Sequence, residues 1–391
     1  MTVESVFERD AAWFEQRKAG ATVREVLQQP DLWERLADTL DSRENEIVAF
    51  MKKVMAVPGL RIVFTGAGSS AFIGESLQKL LMRDQGLRSE AVHTTEIVAA
   101  PDITLYDVPT LLVSFARSGD SPESVGTLQY AKKKIKELYQ MVVVCNADSA
   151  LARYAHEEEN ALVLNMPPES CDTGFAMTSS VSCMVLGTWC AFGYNELRTR
   201  TAYLRAMAQS VRSEMAEMDK TARVIAENPY RRIVYLGTGA LYGLAREGAV
   251  KSLELTKGYV NSTFDTPTGF RHGPKTVLDD ETLSVHFLSP NAFTQKYDLD
   301  VAKELIHEKQ KNLVAVLVNK TDAHKVQGAD FLIAYEEPEG GSKELCAYMK
   351  CLIFAQLLSV EKSLERGITT DNPCPKGDVN RVVQGVVIYD L

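Results

Sequence analysis

Short apolar runs, each followed by a glycine- or serine-rich loop and then by a helical pattern, recur along this chain. Arg61–Thr65 is such a run and is bounded by glycine, as expected of a buried parallel strand. From about Ser69 to Met82 the apolar residues recur at intervals of three and four, which predicts an amphipathic helix. Further runs at TLLVSFA, MVVVCN and ALVLNM predict three more strands. Strands alternating with helices predict a parallel sheet covered on both faces.

This arrangement occurs twice. RIVFTGAGSSAFIG, which starts at Arg61, returns as RIVYLGTGALYG, which starts at Arg232, 171 positions later. VVVCNADS and AVLVNKTD keep nearly the same offset. Such a repeat predicts two copies of one α/β domain. In doubly wound sheets the ligand binds at the carboxyl ends of the strands, where strand order reverses.

The segment before the repeat has a helical pattern up to about residue 57. Thr22 and Glu25 have the spacing of a capping box, and Pro30 suits a first helical turn. A long charged helix is predicted from about Leu197 to Glu227, before the second copy. We therefore predict an N-terminal helical extension over 1–45, a first domain over 46–210 and a second domain with a C-terminal tail over 211–391.

Composition narrows the classes of function. The chain has 391 residues, a net charge of −9 and a pI near 5.4, which argues against a nucleic-acid partner. Neither a membrane span nor a signal peptide is expected, because no apolar run is long enough and the acidic start lacks an apolar centre. Seven cysteines without metal-ligand spacing indicate reduced thiols in a cytoplasmic protein. We expect no metal and no cofactor.

The first loop, Gly66–Ala71, fits the pattern GxGxxA between a strand and a helix. A nicotinamide dinucleotide site is one interpretation of that pattern. It needs an acidic residue at the end of the second strand to hold the ribose, and neither Glu90 nor Glu96 is well placed. A tight turn with no ligand is the other interpretation.

The loop after the strand predicted at TLLVSFA favours a phosphomonoester. Three serines and an arginine lie within eight residues, just before a helix that Ser121 and Pro122 are predicted to start. Hydroxyl groups and helix N-terminal amides together form a cradle for phosphate, although Ser121 alone could serve only as a cap. The candidate substrate-binding residues are Gly68, Ser69, Ser70, Arg117, Ser118, Ser121, Thr178 and Ser179.

The second copy contains candidates for proton transfer. Glu247, Lys251 and Glu254 share one stripe of the helix that follows Gly239. A solvated surface pair is the ordinary alternative for a glutamate and a lysine at this spacing. His272 lies in the tight segment TPTGFRHGPKTVL, and histidine titrates where proton transfer is needed.

These residues carry a resemblance to the sugar isomerase (SIS) family of phosphosugar-binding proteins. The second copy resembles the isomerase half of glucosamine-6-phosphate synthase, with its Glu, Lys, Glu and His-Gly-Pro series. Over its whole length, from QQPDLW through SFARSGDSPES, GFAMTSS and DTPTGFRHGPK to NRVVQGVVI, the chain looks most like the AgaS group. That group is described as tagatose-6-phosphate ketose/aldose isomerases or galactosamine-6-phosphate deaminase/isomerases.

The resemblance implies two tandem flavodoxin-like, five-stranded sheets. It implies phosphate binding by Ser70, Ser118 and Ser121, with Glu254 as the base. His272 would assist ring opening, often from a neighbouring subunit, so a homo-oligomer (dimer or tetramer) is expected. One departure is Gln384, where the synthase tail has a lysine, so the amine chemistry of that lysine does not carry over.

Three functions compete, and we favour the first. The first is deamination and isomerisation of an amino-hexose 6-phosphate, for example galactosamine 6-phosphate to tagatose 6-phosphate and ammonia. The second is aldose–ketose isomerisation without loss of nitrogen. The third is a non-catalytic phosphosugar sensor. The acidic N-terminal segment, which has no basic recognition helix, weighs against a DNA-binding sensor. The presence of Glu254 and His272 weighs against a module that only binds.

Overall fold

Five helices precede the first strand, as the helical pattern of this region predicts. The computed structural model describes residues 1–308, 312–377, 379–383 and 385–391, so the substitution at Gln384 lies outside the described residues. The five helices are α1 (Val3–Phe7), α2 (Ala11–Gln16), α3 (Gly20–Leu27), α4 (Gln29–Ser42) and α5 (Glu44–Met55).

The capping box predicted at Thr22 is wrong. Thr22 is the third residue of α3, and the helix starts after Ala19. The carboxylate of Asp371 accepts hydrogen bonds from the Ala21 amide at 3.0 Å and the Thr22 amide at 2.7 Å. The N-terminal amides of α3 are thus capped by a carboxylate that is distant in the sequence, and local residue spacing cannot predict such a cap. Pro30 lies in the first turn of α4, as predicted.

The first repeat forms a parallel sheet, here sheet 1. Its central strand, Thr110–Ala116, is buried along its whole length. The strands are β1 (Arg61–Thr65), β2 (Glu90–Ala91), β3 (Thr110–Ala116), β4 (Leu138–Val144) and β5 (Ala161–Asn165). The helices are α6 (Ser69–Gln85), α7 (Thr94–Ala99), α8 (Pro101–Thr104), α9 (Pro122–Lys134), α10 (Ala150–His156), α11 (Ser179–Phe192) and α12 (Leu197–Ala226).

The second repeat forms a second parallel sheet, here sheet 2. Its strands are β6 (Arg232–Gly237), β7 (Asn261–Asp265), β8 (Thr282–Phe287), β9 (Leu313–Asn319) and β10 (Phe331–Tyr335). Its helices are α13 (Ala240–Leu255), α14 (Pro267–Phe270), α15 (Thr294–Glu308) and α16 (Lys343–Glu365). Short 3₁₀ segments lie at Pro168–Ser170, Tyr194–Glu196, Pro274–Val277 and Lys320–Val326.

The strand order confirms the fold predicted from the repeat. Sheet 1 has the order β2-β1-β3-β4-β5, and sheet 2 has the matching order β7-β6-β8-β9-β10. The register matches as well, because Arg61 pairs with Thr110 in one sheet and Arg232 pairs with Thr282 in the other. This is the flavodoxin-like order, and its ligand switch point lies between the first and third strands. In sheet 1 that point is the edge where β1 and β3 end.

The described residues form two units, each built around one sheet. The sheet-1 unit holds residues 31–172, 177–205 and 377–391, and the sheet-2 unit holds residues 1–30, 173–176 and 206–376. The sequence boundaries at 45 and 210 stay a prediction. Within the described ranges, no helix has the length and apolar content needed to cross a membrane.

Candidate functional site

The loop between β1 and α6 brings Ser70 to the carboxyl edge of sheet 1. At Gly66 a Cβ atom would lie 2.6 Å from the carbonyl carbon of Ser70, so only glycine fits this approach. Gly68 has φ 57° and directly precedes α6. Ser69 and Ser70 are therefore held, almost fully buried, in the first turn of the helix.

The dinucleotide interpretation of this loop finds no support at Glu90. The acid that would hold a ribose is ion-paired with Arg61, with 2.7 Å between its carboxylate and the guanidinium. The hydrogen bond from Arg61 holds the pKa of Glu90 below its ordinary value. Glu90 is therefore a charged partner of Arg61.

The loop between β3 and α9 supplies two more serines. The predicted helix start is confirmed, because the Ser121 side chain caps α9 by accepting the Ser124 amide at 3.3 Å. Gly119 has φ 69°, and a Cβ atom there would lie 2.4 Å from the Ser149 hydroxyl. The loop must therefore turn tightly, which places Ser118 and Ser121 on the same side as Ser70.

A pocket of about 120 Å³ opens between these two loops. Since one water occupies about 30 Å³ in the liquid, the pocket has room for a group the size of a phosphate. Its polar lining includes four of the predicted residues, and segment 379–383 supplies a further part of the wall. The lining residues are Ala67, Ser70, Phe115, Ala116, Arg117, Ser118, Ser121, Ser124, Met177, Arg381, Val382 and Val383.

The other four predicted residues lie outside this lining. Gly68 and Ser69 are in the turn behind Ser70. Thr178 and Ser179 begin α11, where their hydroxyls donate to Asp172 rather than face the pocket. Their role as substrate ligands stays a prediction.

Asp172 is a buried carboxylate that the sequence analysis missed. One oxygen accepts the Thr178 amide at 2.8 Å and the Ser180 amide at 3.0 Å, and the other accepts the Ser179 amide at 3.1 Å. The hydroxyls of all three residues donate to the same carboxylate. The N-terminus of α11 therefore already holds an anion, the internal equivalent of a bound phosphate.

The proton-transfer candidates lie on the sheet-2 unit. Lys251 is fully buried on α13, and its Nζ lies 3.6 Å from a Glu247 oxygen and 2.5 Å from a Glu254 oxygen. Glu247 is buried as well, so the surface-pair alternative is wrong for these two residues. The Glu254 side chain is 33 % exposed. The buried Lys251 ammonium thus binds the Glu254 carboxylate, which is accessible to solvent.

Glu254 lies at the far end of α13 from the carboxyl edge of sheet 2. The helix begins at Ala240 beside the end of β6, and Glu254 follows 14 residues later, about 21 Å along the axis. Its accessible face is therefore remote from the switch point of its own sheet.

His272 lies on the same unit, in a loop that is held at both ends. Its amide donates to the Gly269 carbonyl at 2.9 Å, and Thr266 caps α14 just before it. Arg271 and Lys275, on either side, both bind Glu304. The histidine itself is exposed. The loop is ordered, as its sequence predicts, and presents the histidine at the surface.

The switch point of sheet 2 is occupied by the protein itself. Asp298 is fully buried and accepts the Thr238 hydroxyl at 2.6 Å and the Ser289 amide at 3.0 Å. Thr238 lies in the loop equivalent to the one that contains Ala67. A carboxylate thus takes the donors that would face a ligand here.

Arg381 is the second residue that sequence reasoning missed. It lines the pocket, but no local motif indicates that it does, because it lies 260 residues beyond Ser121 in the sequence. Its neighbourhood did carry a signal, since NRVVQGVVI is part of the family resemblance. Across the described residues, no cluster of three or more His, Cys, Asp or Glu side chains is arranged to hold a metal ion.

Known proteins share both the sequence and the fold. Residues 57–192 match the SIS domain. A Streptomyces coelicolor protein named AgaS is 41 % identical over 372 residues, 95 % of this chain and 95 % of its own length. D-galactosamine-6-phosphate deaminase AgaS of Shewanella sp. strain ANA-3 is 36 % identical, covering 94 % and 91 %. The structure of tagatose-6-phosphate ketose/aldose isomerase from Escherichia coli has a TM-score of 0.86 at 35 % identity, covering 95 % and 96 %. The chain therefore belongs to the sugar isomerase (SIS) family and to its AgaS group.

Proposed function

We propose that this chain is a phosphosugar deaminase/isomerase that converts galactosamine 6-phosphate to tagatose 6-phosphate and ammonia. The observation that carries the proposal is the pocket at the switch point of sheet 1, where Ser70, Ser118 and Ser121 converge. Hydroxyls and helix N-terminal amides suit a sugar phosphate. The relatives named above act on this class of substrate by name.

The reaction requires removal of one proton from carbon and no external oxidant or reductant. His272 protonates the ring oxygen as the anomeric hydroxyl loses its proton and the ring opens to the aldehyde. Glu254 then takes the proton from carbon 2 while the carbon-1 oxygen gains one, which gives an enolamine. A proton delivered to carbon 1, with loss of a proton from the nitrogen, gives a ketimine. Water adds to carbon 2 and ammonia leaves, so the product is the ketose phosphate.

The α13 cluster supports Glu254 as the base. A base must be accessible to the substrate and fixed in place. Glu254 is partly exposed, and the 2.5 Å contact with the buried Lys251 ammonium fixes its carboxylate. Glu247 lies on the other side of the lysine and balances its charge. Of the two glutamates, Glu254 is the one that a substrate can reach.

Plain aldose–ketose isomerisation is the second candidate, favoured by the name of the Escherichia coli structure. It uses the same proton transfer but keeps every heavy atom, so nitrogen release separates the two reactions. The direct test is to incubate the protein with galactosamine 6-phosphate, glucosamine 6-phosphate and galactose 6-phosphate, and to measure ammonia and ketose. Ketose from galactose 6-phosphate, with neither ammonia nor ketose from the two amino sugars, would refute deamination. Tight binding without either product would indicate a sensor.

Two variants separate the roles of the two groups of residues. Glu254→Gln keeps the shape of the side chain but cannot accept a proton, so kcat should fall by a factor on the order of 10² to 10⁴ with KM nearly unchanged. Ser118→Ala removes a ground-state contact with the phosphate, so KM should rise about 5- to 30-fold with kcat nearly unchanged. Exchange of the carbon-2 proton with solvent should stop only in Glu254→Gln.

Glu227→Gln is the matched control, since this exposed glutamate of the sheet-2 unit lies just after the end of α12, as Glu254 lies in the last turn of α13. It should behave like the parent protein. Normal turnover in Glu254→Gln would show that another group is the base, with Glu247 the next candidate. Unchanged KM in Ser118→Ala would remove the phosphate assignment of this loop.

The location and assembly of the protein also belong to this proposal. The substrate is phosphorylated, and the seven cysteines are all free, five of them buried. Both features suit the cytoplasm. An exposed His272 in an ordered loop suits a role beside a neighbouring subunit, and we propose a homo-oligomer for this reason.

A further inference from the structure

One wall of the sheet-1 pocket comes from segment 379–383, far in sequence from the serine loops. Arg381, Val382 and Val383 line the pocket together with the serines of the β1–α6 and β3–α9 loops. The described lining contains two arginines, Arg117 and Arg381, and no carboxylate. The pocket is therefore cationic, and the serines contribute no charge.

Arg381 is held in the wall by a rigid partner. Its Nη1 donates to the main-chain carbonyl of Asp172. The side chain of Asp172 is itself fixed by three amides and three hydroxyls at the start of α11. A guanidinium has five N–H donors, and the carbonyl takes one of them. Arg381 is exposed to solvent, so its head can meet an anion that enters the pocket.

Arg117 has a different task. It is almost fully buried, and its Nη2 donates to the main-chain carbonyl of Arg381 at 3.0 Å. Its own carbonyl accepts the thiol of Cys171 at 3.8 Å. Arg117 therefore binds the backbone of the segment that carries Arg381 and fixes where that backbone lies.

The residues beyond this segment are anchored on α9, the helix that Ser121 caps. Ile388 packs so closely on Gly126 that a Cβ atom there would lie 2.9 Å from an Ile388 methyl group. The Tyr130 hydroxyl donates to the Tyr389 carbonyl. The wall and the serine loop are thus attached to the same helix, and they form one structural unit.

A sugar phosphate carries nearly two negative charges at pH 7.5, since its second pKa is about 6, and hydroxyls alone do not neutralise them. We propose that Arg381 is the cation that pairs with the substrate phosphate and that Arg117 is a positioning residue that holds Arg381 in place. This inference rests on the proposed function only in that the substrate is a phosphate ester. It adds a phosphate-binding residue from segment 379–383. It also changes the role of Arg117 from a phosphate ligand to a residue that positions Arg381.

The test compares Arg381→Ala, Arg381→Lys and the control Arg88→Ala, an exposed arginine of the same unit. Loss of a charged hydrogen-bonding partner should raise the KM for galactosamine 6-phosphate about 10- to 100-fold in Arg381→Ala, with kcat within about twofold. The inhibition constant of inorganic phosphate should rise by a similar factor. Arg381→Lys should recover part of both losses, and Arg88→Ala should match the parent.

The role of Arg117 is tested by a double-mutant cycle. If Arg117 acts only by placing Arg381, Arg117→Ala should weaken phosphate binding, and the double variant should be no weaker than Arg381→Ala alone. Losses that multiply would instead make Arg117 an independent phosphate ligand and overturn its positioning role. Parent-like phosphate binding by Arg381→Ala would overturn the inference and leave the proposed function standing. Failure of the parent protein to bind inorganic phosphate would overturn both.

Discussion

Replacing Asp172 with asparagine should destabilise the sheet-1 unit strongly, although the two side chains are nearly the same size. The carboxylate is fully buried and accepts the amides of Thr178, Ser179 and Ser180 at the start of α11. An asparagine can present only one oxygen, and its NH₂ group must then face donors. The substitution therefore removes an acceptor and a negative charge from a helix N-terminus.

The size of the loss follows from these contacts. The asparagine oxygen would best replace the carboxylate oxygen that accepts two amides, those of Thr178 and Ser180. The Ser179 amide then loses its acceptor, at a cost of about 1–3 kcal/mol. The three bonds that remain become neutral, and each loses about 1 kcal/mol because charge-assisted bonds are roughly twice as strong. We expect the free energy of unfolding to fall by about 4–6 kcal/mol.

Tryptophan fluorescence can follow this unit during urea unfolding. Trp33 donates to the Ser182 hydroxyl on α11 at 2.9 Å, and Trp189 lies on α11 itself. The matched control is Asp371→Asn, because Asp371 also accepts amides at a helix start but is only partly buried. A loss of about 1 kcal/mol is expected there.

Equal losses in the free energy of unfolding for Asp172→Asn and Asp371→Asn would refute this reasoning, since neither burial nor the number of hydrogen bonds would then affect the loss. A loss below about 1 kcal/mol in Asp172→Asn would show that the hydroxyls of α11 find other acceptors at little cost.

Two further predictions concern pH and assembly. Burial lowers the pKa of His286 in the centre of sheet 2 from 6.5 to about 4. Between these pH values the unfolded chain binds a proton at this histidine and the folded chain does not. The stability that the neutral histidine contributes is therefore full above pH 6.5 and is lost as pH falls toward 4. Between pH 6.5 and 5 the free energy of unfolding should fall by about 2 kcal/mol. Urea unfolding of His286→Phe should show no such fall. If the free energy of unfolding changed equally with pH in the two proteins, His286 would not be the responsible group. Light scattering should find a dimer or tetramer, and a fully active monomer at high dilution would exclude a role for His272 across an interface.

The sequence was most informative where structure depends on neighbours along the chain. Arg61–Thr65 is a strand with the predicted bounds, and Ser121 caps α9 as its Ser-Pro pair predicts. The repeat predicted matching sheets, because the same apolar runs and glycine turns must bury the same faces. Ser70, Ser118 and Ser121 could be grouped because carboxyl ends of parallel strands share one edge.

Prediction failed where a distant residue supplies the partner. The Thr22 spacing is that of a cap, but Asp371 provides the acceptor from 349 positions away. Arg381 reaches the pocket only through tertiary packing. In both cases the contact joins residues that are far apart in the sequence, so no local pattern indicates it.

The buried Asp298 has a consequence for what a repeated fold can bind. Both repeats place a glycine loop between a strand and a helix, at Gly68 and Gly239. In the second repeat the Asp298 carboxylate accepts the Thr238 hydroxyl and the Ser289 amide, so an anion would have to displace a buried carboxylate from both donors. The two repeats therefore share their loop geometry but differ in their capacity for an anion, and copying a fold does not by itself copy a binding site.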